Sequence, residues 1–256
     1  MQNQNKIIIG LLIFILIAAI GMVTYFVATK KSAELKIAEK KLEEKEDEDE
    51  RDPELSMAEH EIFEEPRMGD DVAIMKIKDY GTIKIKFFRD VAPKAVENFI
   101  GLSEKGYYNG VTFHRVINDF MIQGGEPTAT GSGGESFFGA DFGPEYKDGY
   151  FPYRGTLCMA SAPGIENSLS SQFFIVQAKA NPAAEEMIRD LPRSIQRLYQ
   201  ERGGTPHLYK QHTVFGYVYE GMDIVDKIAA TKTNDNDKPL KDVVIEKITI
   251  QTIEDK

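Results

Sequence analysis

Outside its turn residues Asn118 and Asp119, the mostly apolar stretch FHRVINDFMIQGG, residues 113–125, carries three polar side chains: His114, Arg115 and Gln123. A strand, a tight turn at Asn118-Asp119 and a second strand account for the spacing of the rest. A plain hairpin needs none of the three. Arg115 carries a permanently charged, planar fork of N–H donors, and the Gln123 amide both donates and accepts. Such a pair, set among Phe113, Phe120 and Met121, suits hydrogen bonding to a polar group held against apolar walls. An isolated arginine on a strand is usually a solvated or ion-paired surface residue, so the surrounding elements must decide its role.

Other reactive side chains offer less. The single cysteine, Cys158, permits no internal disulfide and lies in the apolar run GTLCMA, where it reads as a small core residue. His114, beside Arg115 on the opposite strand face, reads as a hydrogen-bonded structural residue. His207 and His212 have the spacing of a metal pair, but no third ligand lies nearby, so no metal is expected.

Charge divides the chain into three parts. The net charge of −10 argues against a nucleic-acid partner. Residues 32–71 hold 17 acidic against 6 basic side chains, which leaves residues 72–256 close to neutral. This acidic stretch is expected to be an extended, solvated spacer. Before it, residues 7–27 carry no charge. As a helix they would span about 30 Å, enough to cross a bilayer core. An uncleaved anchor over 1–31 is the expectation, with AIG at 19–21 as a weak cleavage site. Lys30 and Lys31 outnumber Lys6, so the charge rule leaves orientation open.

From Val72 the texture becomes that of a folded domain. VAIMKIKDYGTIKIKFF alternates around Asp79-Tyr80-Gly81 as a hairpin does, and APKAVENFIGLSEKG reads as a helix. Short strands follow at 112–117, 120–124, 155–160, 172–177 and 213–219. A short helix, MDIVDKIAA, precedes a last strand, VVIEKITIQTI. Many strands with few helices point to a closed antiparallel barrel. The loop 126–154 is long enough to be functional or ordered against the scaffold.

In this order, VTFHRVINDFMIQGGEP, GTLCMASA, SSQFFIVQ and HTVFGYV resemble the cyclophilin-type peptidyl-prolyl isomerases over about 72–253. The resemblance implies a mainly β fold. Its form is a closed eight-stranded antiparallel β-barrel capped by two helices, here joined to the N-terminal transmembrane helix. It implies Arg115 as the catalytic arginine and Phe120, Met121 and Gln123 as its neighbours in the proline site. Ala160 and Ser161 would lie along the substrate backbone, although the family commonly has Asn in place of Ser161. Gln172 and Phe174 come from the next strand, and Leu208 and His212 close the pocket. His207 falls where many members carry Trp, which is expected to weaken binding of the family's inhibitor cyclosporin. Strand parity puts Gln172 with Phe174, Met121 with Gln123, and Phe113 with Arg115, while Phe120 breaks the alternation.

The implied activity is rotation about X-Pro bonds of proline-containing polypeptide clients. The amide barrier is about 18–20 kcal/mol, and lowering it needs no nucleophile, metal or cofactor. It needs tighter binding of the twisted amide than of either planar form. At the twist the proline nitrogen lone pair localises, and a guanidinium can donate to it. Gln123 would orient Arg115 or bind the substrate backbone. Two departures stand out: the loop PGIENSLS is about two residues longer than in common members, and 178–206 is an insertion. The insertion reads as a broken helix from Asn181-Pro182 to Gly203-Gly204, with Met187, Leu191, Ile195, Leu198 and Tyr199 at helical spacing. The expected place of work is the cell membrane, with the isomerase domain outside the cytoplasm, or secreted if the anchor is cleaved. A tethered proline-binding module or chaperone without turnover is the alternative.

Overall fold

Alternating β-branched and charged residues make the first hairpin, β1 (Asp71–Ile77) and β2 (Gly81–Phe87). Ala73, Met75, Ile77, Ile83 and Ile85 all turn into one core. The computed structural model describes residues 30–31, 36–37, 61–162, 164–181 and 185–254. The chain divides into two units, Met1–Arg51 and Asp52–Lys256, and only the second is described at length. The expected membrane helix 7–27 and most of the acidic spacer lie outside the described residues. Among the described residues no helix is long and apolar enough to cross a membrane.

After β2 come α1 (Pro93–Glu104), β3 (Phe113–Ile117), β4 (Met121–Gly124), β5 (Thr156–Met159) and β6 (Phe173–Val176). Two insertion helices follow, α2 (Glu185–Ile188) and α3 (Arg193–Arg202), then a 3-10 turn at Pro206–Leu208. β7 (Val214–Glu220), α4 (Met222–Ala229) and β8 (Ile245–Thr252) complete the domain. Pro93 opens α1 without losing a helical hydrogen bond, because the first N–H groups have no intrahelical acceptor.

The eight strands form one antiparallel sheet in the order β3-β4-β6-β5-β7-β2-β1-β8. It curls so that its two edges approach. An isolated bridge between Thr112 and Val244 joins them. The Phe113 N–H donates to Val243 O at 3.0 Å and the Ile245 N–H to Val111 O at 2.8 Å. The expected closure is thus a single bridge at the start of β3 rather than a strand-long ladder. Helix α1 packs on β7 and β8, and α4 on β2, β3 and β4. Inside, Phe99 lies 5.3 Å from Phe173, 5.6 Å from Phe215 and 5.1 Å from Tyr108 between ring centroids.

A second apolar cluster covers the other face of β4, β5 and β6. Ile122, Leu157, Met159, Phe173 and Ile175 enter the barrel core. Met121, Cys158, Phe174 and Val176 enter the second cluster, as period-two alternation requires. The insertion supplies its cover through Ile188, Ile195, Leu198 and Tyr199. Of the five residues expected on its apolar face, Leu191 is half-buried and Met187 is exposed. The insertion ends at Gly203, whose φ is 83°; a Cβ there would sit 2.4 Å from the carbonyl carbon of Lys179. Only glycine lets the two ends of the insertion meet so closely. Residues 182–184, where its start was expected, lie outside the described residues.

Residues 61–70, which charge alone assigns to the spacer, are packed on the barrel. Ile62 is 0% exposed in the second cluster. The Phe63 ring lies 5.4 Å from Tyr153 and 5.5 Å from Tyr217, with the Arg202 guanidinium 3.9 Å above it. Lys86, 6% exposed, donates to the carbonyls of Glu61 and Glu64. An ammonium at carbonyls that end a helical turn is favourable electrostatically. Sequence patterning misses this segment because two apolar anchors are outvoted by the acids around them. Replacing Ile62 with Ala is expected to cost about 2–5 kcal/mol. Replacing Met68, 68% exposed, should change stability by less than about 0.5 kcal/mol. Urea denaturation of the full chain and both variants checks this, and equal midpoints would mean that the segment is not anchored.

Candidate active site

The cavity beside the second cluster is built on one row of cross-strand partners. Arg115 of β3 pairs with Gln123 of β4, Gln123 with Phe174 of β6, and Phe174 with Cys158 of β5. Partners in such a row sit about 4.5–5.5 Å apart at Cβ. The row therefore places a guanidinium, an amide and a phenyl ring side by side.

Arg115 reaches this face through a β-bulge. Phe113 pairs with Gly124 and Arg115 with Gln123, so His114 is an extra residue between them. The expectation that Phe113 and Arg115 share a face is overturned. Phe113 and Val116 enter the barrel core, while Arg115 lines the cavity. A bulge redirects the side chains beyond it, and strand parity cannot count across it. His114 is also corrected: it is buried, but among the described residues its Nδ1 has no hydrogen-bond partner. Burial lowers its pKa.

Ten of the eleven residues singled out from the sequence line one cavity of about 730 Å³. They are Arg115, Phe120, Met121, Gln123, Ala160, Ser161, Gln172, Phe174, Leu208 and His212. Phe120 joins Met121 there because it still belongs to the turn, where alternation does not apply. His207 does not line the cavity. It stands exposed at the rim, its ring nearly parallel to Phe120 at 5.8 Å and 20°.

The polar groups form two separate systems. The Gln123 Nε2 donates to Gln172 Oε1 at 3.0 Å. Gln172 Nε2 in turn donates to the carbonyls of Gly131 and Gly133, at 3.2 and 2.9 Å. The amide of Gln123 is thus held by Gln172, and the expected orientation of Arg115 by Gln123 gives way to a different contact. Arg115 Nε lies 3.5 Å from Asp237 Oδ2, the two side chains being 44% and 41% exposed. The Val116 N–H donates to the Asp237 carbonyl at 2.8 Å and pins this loop beside β3. Asp237 was missed in the sequence because it arrives from a distant loop, and no local spacing connects it with Arg115.

The long loop 126–154 is ordered by a second residue the sequence did not flag. Glu126 is fully buried and accepts from the backbone N–H groups of Thr128, Thr130 and Gly131 at 2.6, 2.9 and 3.2 Å. Burial opposes its ionisation, but these donors and the Thr128 hydroxyl hold its carboxyl below the usual range. The turn it organises carries Gly131 and Gly133, which receive Gln172. On the other wall, His212 Nδ1 lies 3.1 Å from the Met159 carbonyl and 3.3 Å from Ser161 Oγ. The carbonyl can only accept, so Nδ1 carries the proton. The imidazole stands edge-on to Phe174 at 5.1 Å. Burial lowers the pKa of both His207 and His212. The Cys158 thiol, pushed up to about 12 by burial, is no nucleophile. Among the described residues no group of three His, Cys, Asp or Glu side chains could hold a metal.

An always-charged donor, two restrained amides and an apolar basin make a site for binding and bond rotation, with no group poised for covalent chemistry. Residues 72–250 match the family model described as cyclophilin type peptidyl-prolyl cis-trans isomerase/CLD. This chain belongs to the cyclophilin-type peptidyl-prolyl cis-trans isomerases. A Staphylococcus saprophyticus protein named for that activity is 48% identical over 187 residues, covering 71% of this chain and 93% of the relative. A Staphylococcus aureus relative, named likewise, is 45% identical over 196 residues, covering 75% and 97%. The crystal structure of a Cryptosporidium parvum cyclophilin-type isomerase superposes with TM-score 0.59 at 30% identity, covering 72% of this chain and 98% of that one. Another crystal structure of that protein, in the presence of the dipeptide Ala-Pro, gives TM-score 0.58. The cyclophilin-type domain is therefore an enzyme that isomerises peptidyl-prolyl bonds.

Its histidines predict a pH dependence of stability. His114, His207 and His212 all have folded-state pKa values lowered from the ordinary value of 6.5. Below about pH 6.5 the unfolded chain binds protons that the folded one does not. Stability from this source is complete above that pH and is lost as pH falls towards the folded values. Urea midpoints should be level between about pH 7 and 8 and decline below about 6.5; a midpoint that rises on acidification would contradict this.

Proposed function

We propose that Arg115 is the catalytic residue of this isomerase and that Phe120, Met121, Phe174 and Leu208 hold the substrate proline. What supports the reading is the cross-strand row, which sets the Arg115 guanidinium beside an apolar basin wide enough for a pyrrolidine ring. In the planar amide the proline nitrogen lone pair is delocalised and accepts no hydrogen bond. At the twisted geometry it localises, and a guanidinium N–H donates to it. The interaction exists only near the transition state, so it lowers the barrier rather than merely tightening binding. Ala160, Ser161, Gln123 and Gln172 supply the polar edge for the polypeptide backbone. Asp237 is a positioning residue: by engaging Nε it leaves the terminal guanidinium N–H groups for the substrate.

The clients are proline-containing polypeptides, and the full chain works at the membrane with its isomerase domain outside the cytoplasm. The uncharged stretch 7–27 followed by an acidic spacer supports this location. Protease protection of the domain in intact cells, against permeabilised ones, tests it.

Cis-to-trans rotation of a short X-Pro peptide by the full chain tests the chemistry. Arg115→Ala is expected to lose about 10²–10³-fold in kcat. Asp237→Asn should lose roughly two- to fivefold, in kcat and not in KM. A folded Arg115→Ala protein of undiminished activity would remove Arg115 from the mechanism. His207, a smaller ring than the indole common at this place, is expected to weaken cyclosporin binding. Calorimetric titration beside a Trp-bearing member checks this, equal affinities being the contrary result.

A further inference from the structure

A second cavity, of about 530 Å³, adjoins the one that holds Arg115. Ser161, Ala162, Ile165 and His212 line both. A polypeptide leaving the first cavity over Ser161 and Ala162 therefore passes straight into the second. Its far side is made by Gly164, Ile165 and Glu166 of the lengthened loop and by Pro144 and Tyr146.

The lining is unusual for a surface hollow. Leu169 is buried at its base, while Ile165 and Tyr146 are large apolar side chains left 60% and 43% exposed. The one ionised group in the lining is Glu166. Among the described residues it makes no ion pair and no hydrogen bond. Of the neighbouring acids, Glu145 accepts from the N–H groups of Lys94 and Ala95, Asp148 pairs with Lys210, and Asp141 lines the first cavity and not this one.

We propose that this cavity is a substrate subsite that selects a lysine or arginine near the isomerised proline. The proposal rests on the reading of the first cavity as the proline site. A long basic side chain fits both halves of the lining. Its methylene stem covers Ile165 and the Tyr146 ring, and its cation meets Glu166. A wholly apolar side chain would take water from the Glu166 carboxylate and give it no partner. An acidic one would be repelled.

The test is a peptide set in which lysine occupies, one at a time, each of the three positions on either side of the X-Pro bond. Alanine fills the other positions. The readout is kcat/KM relative to the all-alanine peptide, measured on the full chain. A preference of roughly two- to fivefold is expected at one or two neighbouring positions on one side only. It should collapse to unity in Glu166→Gln and invert in Glu166→Lys. Equal turnover of all peptides by the parent chain would overturn the subsite while leaving the proline site intact. A preference spread evenly over both sides, or one that survives Glu166→Gln, would also overturn it, since the attraction would then come from the general field of the protein. Failure to turn over even the all-alanine peptide would remove the reading of the first cavity, and this proposal with it.

Discussion

Everything at this site depends on a sheet whose central strands are buried on both faces. β4, β5 and β6 are only four residues long each, and almost every side chain in them is buried. A sheet covered on one side would have turned Met121 and Phe174 into ordinary surface residues. Here the insertion and the segment around Ile62 cover the second face. The cavity is the part of that face they leave open. The floor of the cavity is therefore continuous with a packed core, which fixes its shape.

The same arrangement explains why the guanidinium needs a bulge. An unbroken β3 would put Arg115 on the same face as Phe113, inside the barrel, where an unpaired charge could not remain. One extra residue at His114 resolves the conflict between Phe113, which the core needs, and Arg115, which the cavity needs. The cost is a buried His114 Nδ1 that has no hydrogen-bond partner among the described residues. Asp237 then holds Nε from a loop tied by backbone to β3, while the Gln123–Gln172 pair is fixed independently through Gly131 and Gly133. The guanidinium and the pair of amides are thus steadied by different loops.

Much of the strand pattern was legible because it rests on local periodicity. The first hairpin, α1, the β3–β4 hairpin and α4 all fall where alternation, proline and glycine put them. The ordered blocks around Arg115, Ala160, Phe174 and His212 carried the family, and the cavity gathers residues from all of them. Local rules failed where a residue's environment is set from far along the chain. Glu126 looks like any surface acid until three backbone N–H groups turn towards it. Ile62 and Phe63 are too few to register against an acidic stretch, yet both are anchored.

By itself, then, the sequence determined the element types and the antiparallel mainly β class through period-two patterning, and the isomerase chemistry through the resemblance of its ordered blocks to a known family. Tertiary structure alone decided which face Arg115 occupies, which carboxylate steadies it, how the barrel edges meet and where the spacer gives way to the domain. The physical reason is common to all four. Register, bulges and long-range pairing are set by the competition of many side chains for two buried faces, and no short window of sequence contains both competitors.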